Sequence, residues 1–102
     1  MLPADAFIAK NMTVEESIQA IRETQRLLSG LVQFTAEEME GPMRELAQKL
    51  GLKAGQLFGI VRNAVTGKEV SPPLFGSLQA VGRERTLKRL EKAEQILLAH
   101  LA

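Results

Sequence analysis

Residues 83–101 read RERTLKRLEKAEQILLAHL, and this stretch decides the class of fold. An α-helix advances about 100° per residue. At that step the leucines share one sector: Leu87, Leu90, Leu97, Leu98 and Leu101. The basic side chains share the opposite sector: Arg85, Lys88, Arg89 and Lys92. The stretch therefore predicts a long amphipathic helix with an apolar face and a basic face.

The segments just before this stretch also predict helices. Gly82 separates the long helix from a short one, whose apolar side is formed by Leu74, Phe75, Leu78 and Val81. Ser71 offers an N-cap for that helix, and Pro72 stands at the first helical position, which proline favours. A third helix is expected from Ala54 to Val65, ended by Gly67.

The N-terminal half carries two helix-start signals of the capping-box type, over residues 13–16 and 35–38. Behind the first signal, five apolar residues recur on one helical face: Val14, Ile18, Ile21, Leu28 and Val32. Gly30 is expected to end that helix or to loosen its last turn. Behind the second, Pro42 is expected to break the helix. We predict one turn over 36–40 and a new helix from Pro42 that Gly51 ends.

No alternating run bounded by turn residues indicates a strand. We predict a compact all-α multihelical bundle of about five or six helices. A chain of 102 residues suggests a single domain.

The composition narrows the function. The chain has no cysteine, which excludes a disulfide framework and a thiolate metal site. No apolar run approaches the about 20 residues that cross a bilayer, and the N-terminus does not resemble a signal peptide. One histidine, His100, and no nucleophile beside a base predict no catalytic residue and no metal site. We expect a cytoplasmic protein that does not bind a membrane.

The net charge of +1 hides two unequal halves. Residues 1–50 hold five basic and eight acidic residues, a net charge of −3, whereas residues 51–102 hold eight and four, a net charge of +4. Such asymmetry is a hint of a polyanionic partner, although ordinary charge scatter explains it equally well. The basic face of residues 83–101 is likewise either a solvated face or a surface that follows phosphates.

Four segments occur in order with tight spacing: LGLK at 50–53, VRNAVTG at 61–67, SPPLF at 71–75 and VGRERTLKRL at 81–90. Together they resemble the C-terminal region of bacterial glutamyl-tRNA synthetases, which are class I aminoacyl-tRNA synthetases. The resemblance is strong over residues 50–102, while residues 1–49 match only as a helical part without distinctive motifs. Ile60 departs from the family, which often has proline there.

The resemblance implies an all-α cage that holds the anticodon loop of tRNA for glutamate. It implies that Arg62 contacts the anticodon and that Ser71, Pro72 and Leu74 touch its unstacked bases. Phosphate contacts are expected from the basic face: Arg85, Lys88, Arg89 and Lys92. The expected partner is tRNA rather than DNA, and a monomer is expected.

The resemblance also implies that catalysis takes place outside this chain. The two ATP-binding signatures of class I synthetases are absent, so ATP and magnesium are expected to serve a separate catalytic domain and no cofactor is expected here. The chain is expected to be either an excised domain or a stand-alone, synthetase-derived RNA-binding protein. A helical module that binds another protein remains the alternative.

Overall fold

A computed structural model describes residues 3–67 and 73–101. After a short 3₁₀ turn at Ala4–Phe7, the described residues form five α-helices: α1 (Val14–Gly30), α2 (Ala36–Lys49), α3 (Ala54–Thr66), α4 (Leu74–Val81) and α5 (Arg83–Leu101). The described chain contains no strand, so the prediction of an all-α bundle is confirmed.

The core lies between α1 and α5, which form the most extensive helix contact, with α2, α3 and α4 packed around them. Leu90 and Leu97 of α5 are fully buried, as are Ile21 and Leu28 of α1. The apolar face predicted for α5 is therefore mostly correct. Its last residue, Leu101, is nevertheless 48% exposed.

The start of α1 confirms the first capping box. The Thr13 hydroxyl accepts a hydrogen bond from the Glu16 backbone N–H at 3.1 Å, and the Glu16 carboxylate accepts one from the Thr13 N–H at 2.8 Å. Two of the four N–H groups that lack partners within a helix are thereby satisfied. At α2 the Thr35 hydroxyl accepts from the Glu38 N–H at 3.2 Å.

The prediction that Pro42 breaks the helix is wrong, because α2 runs without interruption from Ala36 to Lys49. Proline removes one backbone hydrogen bond but leaves the rest of the ladder. The residue before a proline is normally pushed out of the helical region, partly by its Cβ, and Gly41 has none. Met39 and Met43, on either side, are both fully buried, so packing favours the continuous helix.

The prediction that Val32 belongs to the inner face of α1 is also wrong. Val32 is 96% exposed. The helix ends at Gly30 as expected, and Leu31 already has an extended backbone. The 3.6-residue period therefore does not continue to Val32.

The helix α4 begins at Leu74, two residues later than predicted. Pro73 occupies the N-cap position with ψ 133°, which is not helical. Among the residues that the structure describes, no helix has the length and apolar character that crossing a membrane requires.

Candidate nucleic-acid interface

The last turn of α3 is fastened to the rest of the protein by polar contacts. Asn63 Nδ2 donates to the Ala6 carbonyl at 2.7 Å, which ties α3 to the 3₁₀ turn. Arg89 Nη1 donates to the Val65 carbonyl at 2.7 Å, which ties α3 to α5. Inside the turn, Thr66 Oγ1 donates to the Arg62 carbonyl at 2.7 Å. Two other elements, the 3₁₀ turn and α5, thus fix the position of this turn.

Gly67 ends the helix in the way the sequence predicts. Its backbone is left-handed, with φ 70° and ψ 16°, and its N–H donates to the Asn63 carbonyl at 3.1 Å. Glycine adopts this conformation without the steric cost that a Cβ brings. The chain therefore leaves α3 sharply after Gly67, at the point where the connection to α4 begins.

Arg62 lies in this last turn and is partly exposed. One turn earlier on the same helix is Phe58, since residues four apart share a face. The Phe58 ring packs edge to face against Phe75 of α4, with centroids 5.1 Å apart. The Arg44 guanidinium lies 5.4 Å from the Phe58 ring centre. Arg62 is thus next to an aromatic contact that joins α3 to α4.

The four basic residues predicted on α5 do not behave alike. Lys88 pairs with Glu84 at 3.5 Å, with both side chains exposed. Arg89 donates a hydrogen bond to the Val65 carbonyl of α3. Arg85 and Lys92 are exposed and form no ion pair within residues 3–67 and 73–101. Of these four residues, only Arg85 and Lys92 have no polar partner among the described groups.

An open cleft of about 410 Å³ lies between α5, the end of α3 and the 3₁₀ turn. We call it the α3–α5 cleft; its lining is Phe7, Asn63, Ala64, Val65, Thr66, Gly67, Arg89, Lys92, Ala93 and Ile96. Its walls combine apolar side chains with two cations and the polar groups of the last α3 turn. Such a lining suits a partner that carries both negative charge and flat apolar surface.

The remaining predicted site residues lie around the connection between α3 and α4. Ser71 and Pro72 are outside the described residues. Leu74 opens α4 and is only 4% exposed, packed into the core. Its side chain therefore faces inward, and a contact with a base from this position would have to use its backbone.

Two features of this region were missed from the sequence. Phe7 is buried at 4% exposure and lines the α3–α5 cleft, although a four-residue 3₁₀ turn shows no periodicity. The bond from Arg89 to Val65 joins residues 24 positions apart. A backbone carbonyl leaves no trace in the sequence, so no signal indicated that partner.

The opposite side of α5 contains a different kind of polar contact. Glu94 accepts hydrogen bonds from Arg22 Nε at 2.6 Å and from Gln25 Nε2 at 2.8 Å. Burial raises the pKa of the Glu94 carboxyl, but these two hydrogen bonds and the charge of Arg22 together outweigh burial. The pKa of Glu94 is therefore below its ordinary value.

The structure is thus an all-α domain in which exposed cations of α5 lie beside the hydrogen-bonded last turn of α3. The sequence matches the family described as "Anticodon binding domain" over residues 2–94. Because that match covers most of the chain, the protein belongs to this family. The match extends across both the part without distinctive motifs and the part with them.

Curated relatives agree. The chain is 45% identical over 93 residues to a glutamate–tRNA ligase of Roseiflexus sp. (strain RS-1), covering 91% of this chain and 18% of that protein. It is 44% identical over 88 residues to that of Dehalococcoides mccartyi (strain ATCC BAA-2266 / KCTC 15142 / 195), and 41% identical over 91 residues to that of Chloroflexus aurantiacus. These matches cover 86% and 89% of the chain. In each case the match spans about 18% of the relative's length.

Proposed function

We propose that this chain binds the anticodon loop of tRNA for glutamate. It would anchor the tRNA while a catalytic domain outside this chain joins ATP-activated glutamate to the 3′ end. The observation that carries the proposal is that the end of α3, whose last turn contains Arg62, lies beside the cations Arg89 and Lys92 of α5 around the α3–α5 cleft. Arg85 lies one turn before Arg89 on α5. We call this surface the α3–α5 edge.

The chemistry of the α3–α5 edge suits a single-stranded RNA loop. Sequence-specific RNA recognition relies on bases that are splayed out and bonded at their edges. The rigid five-donor guanidinium of Arg62 suits base acceptors. Arg85 and Lys92 suit backbone phosphates, which position a protein on RNA without reading its sequence. These roles fit a surface that reads a few bases and holds the strand around them.

A calorimetric titration of the purified chain with tRNA for glutamate tests the proposal. An unrelated RNA hairpin of equal length and charge is the control. The proposal expects the tRNA to bind more tightly than the hairpin, with both affinities falling as salt rises. Equal affinities, or no binding even at low salt, would refute it and favour a helical module for a protein partner.

A further inference from the structure

Arg89 satisfies a carbonyl that α3 itself leaves without a partner. The last four carbonyls of a helix have no intrahelical donor. The final helical bond runs from the Gly67 N–H to the Asn63 carbonyl, so the Val65 carbonyl lies beyond it. Arg89 Nη1 donates to this carbonyl at 2.7 Å. A cation at this end is also favoured by the helix dipole.

The turn that Arg89 holds is the turn that contains Arg62. Arg62 precedes Val65 by three residues, and an α-helix repeats every 3.6 residues. The Thr66 hydroxyl closes the turn by donating to the Arg62 carbonyl. Loss of the Arg89 bond would leave the end of this turn free to fray, because helix ends lack internal partners. The direction in which Arg62 projects depends on that end staying helical.

We propose that Arg89 is a positioning residue that holds the last turn of α3 so that Arg62 meets RNA in one arrangement. This inference rests on the proposed function. It reassigns Arg89, which the sequence groups with the phosphate-contacting residues of α5. Ordering the turn before RNA arrives removes part of the entropy cost of binding.

Lys92 is the matched comparison for Arg89. It lies three residues further along α5, lines the same α3–α5 cleft and is exposed. It forms no ion pair with any residue that the structure describes. If Lys92 contacts a phosphate, its removal lowers the slope of log affinity against log salt by about 0.7 to 0.9. A residue that acts on the protein rather than on a phosphate leaves that slope nearly unchanged.

The test measures tRNA affinity of the 102-residue chain across a salt series for four variants: Arg89→Ala, Lys92→Ala, Arg62→Ala and the double variant Arg62→Ala/Arg89→Ala. We expect Arg89→Ala to weaken binding about fivefold, with a slope change less than half that of Lys92→Ala. Because Arg89 acts through Arg62, we expect it to cost at most about twofold more once Arg62 is already alanine. A fifth variant, Arg89→Gln, removes the charge but keeps an N–H donor, and its slope change should likewise be less than half that of Lys92→Ala.

Amide hydrogen exchange gives a reading that needs no RNA. In Arg89→Ala the amides of Thr66 and Gly67 should exchange faster than in Lys92→Ala, since only the former variant frees the turn.

Three results would overturn the inference. They are a slope change equal to that of Lys92→Ala, losses that multiply in the double variant, and unchanged exchange at Thr66 and Gly67. In each of these cases the wild-type chain still binds tRNA and the proposed function stands. A wild-type chain that does not bind tRNA refutes the proposed function itself, and this inference with it.

Discussion

The helix α5 has one side toward α1 and another toward α3. The two sides differ in whether their charged side chains form ion pairs within the protein. Toward α1, the Glu94 carboxylate is satisfied by Arg22 and Gln25, and the surrounding residues are apolar and buried. Toward α3, Arg85 and Lys92 are exposed without ion pairs among the described residues. The first region has its polar partners inside the protein, whereas the second leaves charge for a partner outside it.

On the proposed function, the two sides of one amphipathic helix therefore serve separately for stability and for binding. Substitutions toward α1 should change the free energy of unfolding and leave the salt dependence of RNA binding unaltered. Substitutions of the exposed cations Arg85 and Lys92 should do the reverse.

Replacing a buried leucine on the α1 side of α5 should cause the greatest loss of stability. Leu90 is fully buried, so Leu90→Ala should lower the free energy of unfolding by about 2–5 kcal/mol through lost burial and a residual cavity. Chemical denaturation measures it. Leu101→Ala is the control, because Leu101 is 48% exposed and should cost far less. Comparable losses for the two variants would contradict the assignment of the core.

Replacing the exposed cations of the α3–α5 edge should weaken tRNA binding by a smaller free energy. Replacing Arg85 and Lys92 together with glutamine should weaken tRNA binding on the order of tenfold at low salt and reduce the salt slope by about 1.4 to 1.8. Melting should change little, because both side chains are exposed. Fluorescence titration over a salt series measures the slope. An unchanged slope would mean that these cations only form a solvated face.

The smallest effect concerns pH. Because the folded-state pKa of Glu94 is below its ordinary value of about 4.5, its ionised form stabilises the fold above that pH. This contribution is lost as the pH falls through the lower folded value.

Glu94→Gln should therefore cost about 1 kcal/mol at neutral pH, the worth of a typical hydrogen-bonded group. The difference in free energy of unfolding between this variant and wild type should shrink below about pH 4.5. Denaturant melts from pH 7 to pH 3 measure it. Glu91→Gln, which removes an acidic charge at an exposed position of the same helix, is the control. If the difference in free energy of unfolding between wild type and Glu94→Gln stays constant with pH, ionisation of Glu94 does not stabilise the fold.

The sequence predicts well what is local. The cap formed by Thr13 and Glu16, the ends of α1 and α3 and the whole span of α5 follow from residues within a few positions of each other. The helix through Pro42 was not predictable in this way, because burial of Met39 and Met43 on both sides decides it. Tertiary packing overrides a local helix breaker there.

The candidate site shows the same limit. Arg62 was selected through a family resemblance, and its contact with RNA stays a prediction. The different partners of Lys88, Arg89 and Lys92 were not predictable from the sequence. Helical spacing puts the three residues on one face whatever group each side chain contacts. Val32 was misplaced for a related reason, since periodicity alone does not say where a helix stops.

The central claim, that Arg62 at the α3–α5 edge contacts the anticodon loop, is tested most directly by Arg62→Ala in a titration with tRNA for glutamate. We predict a loss of about 1–3 kcal/mol in binding free energy, with melting unchanged to within about 4 °C. Arg26→Ala is the control, since it removes one exposed charge from α1, away from the edge. Affinity equal to that of the control, or a sharp fall in melting temperature in parallel with the affinity, would contradict the claim.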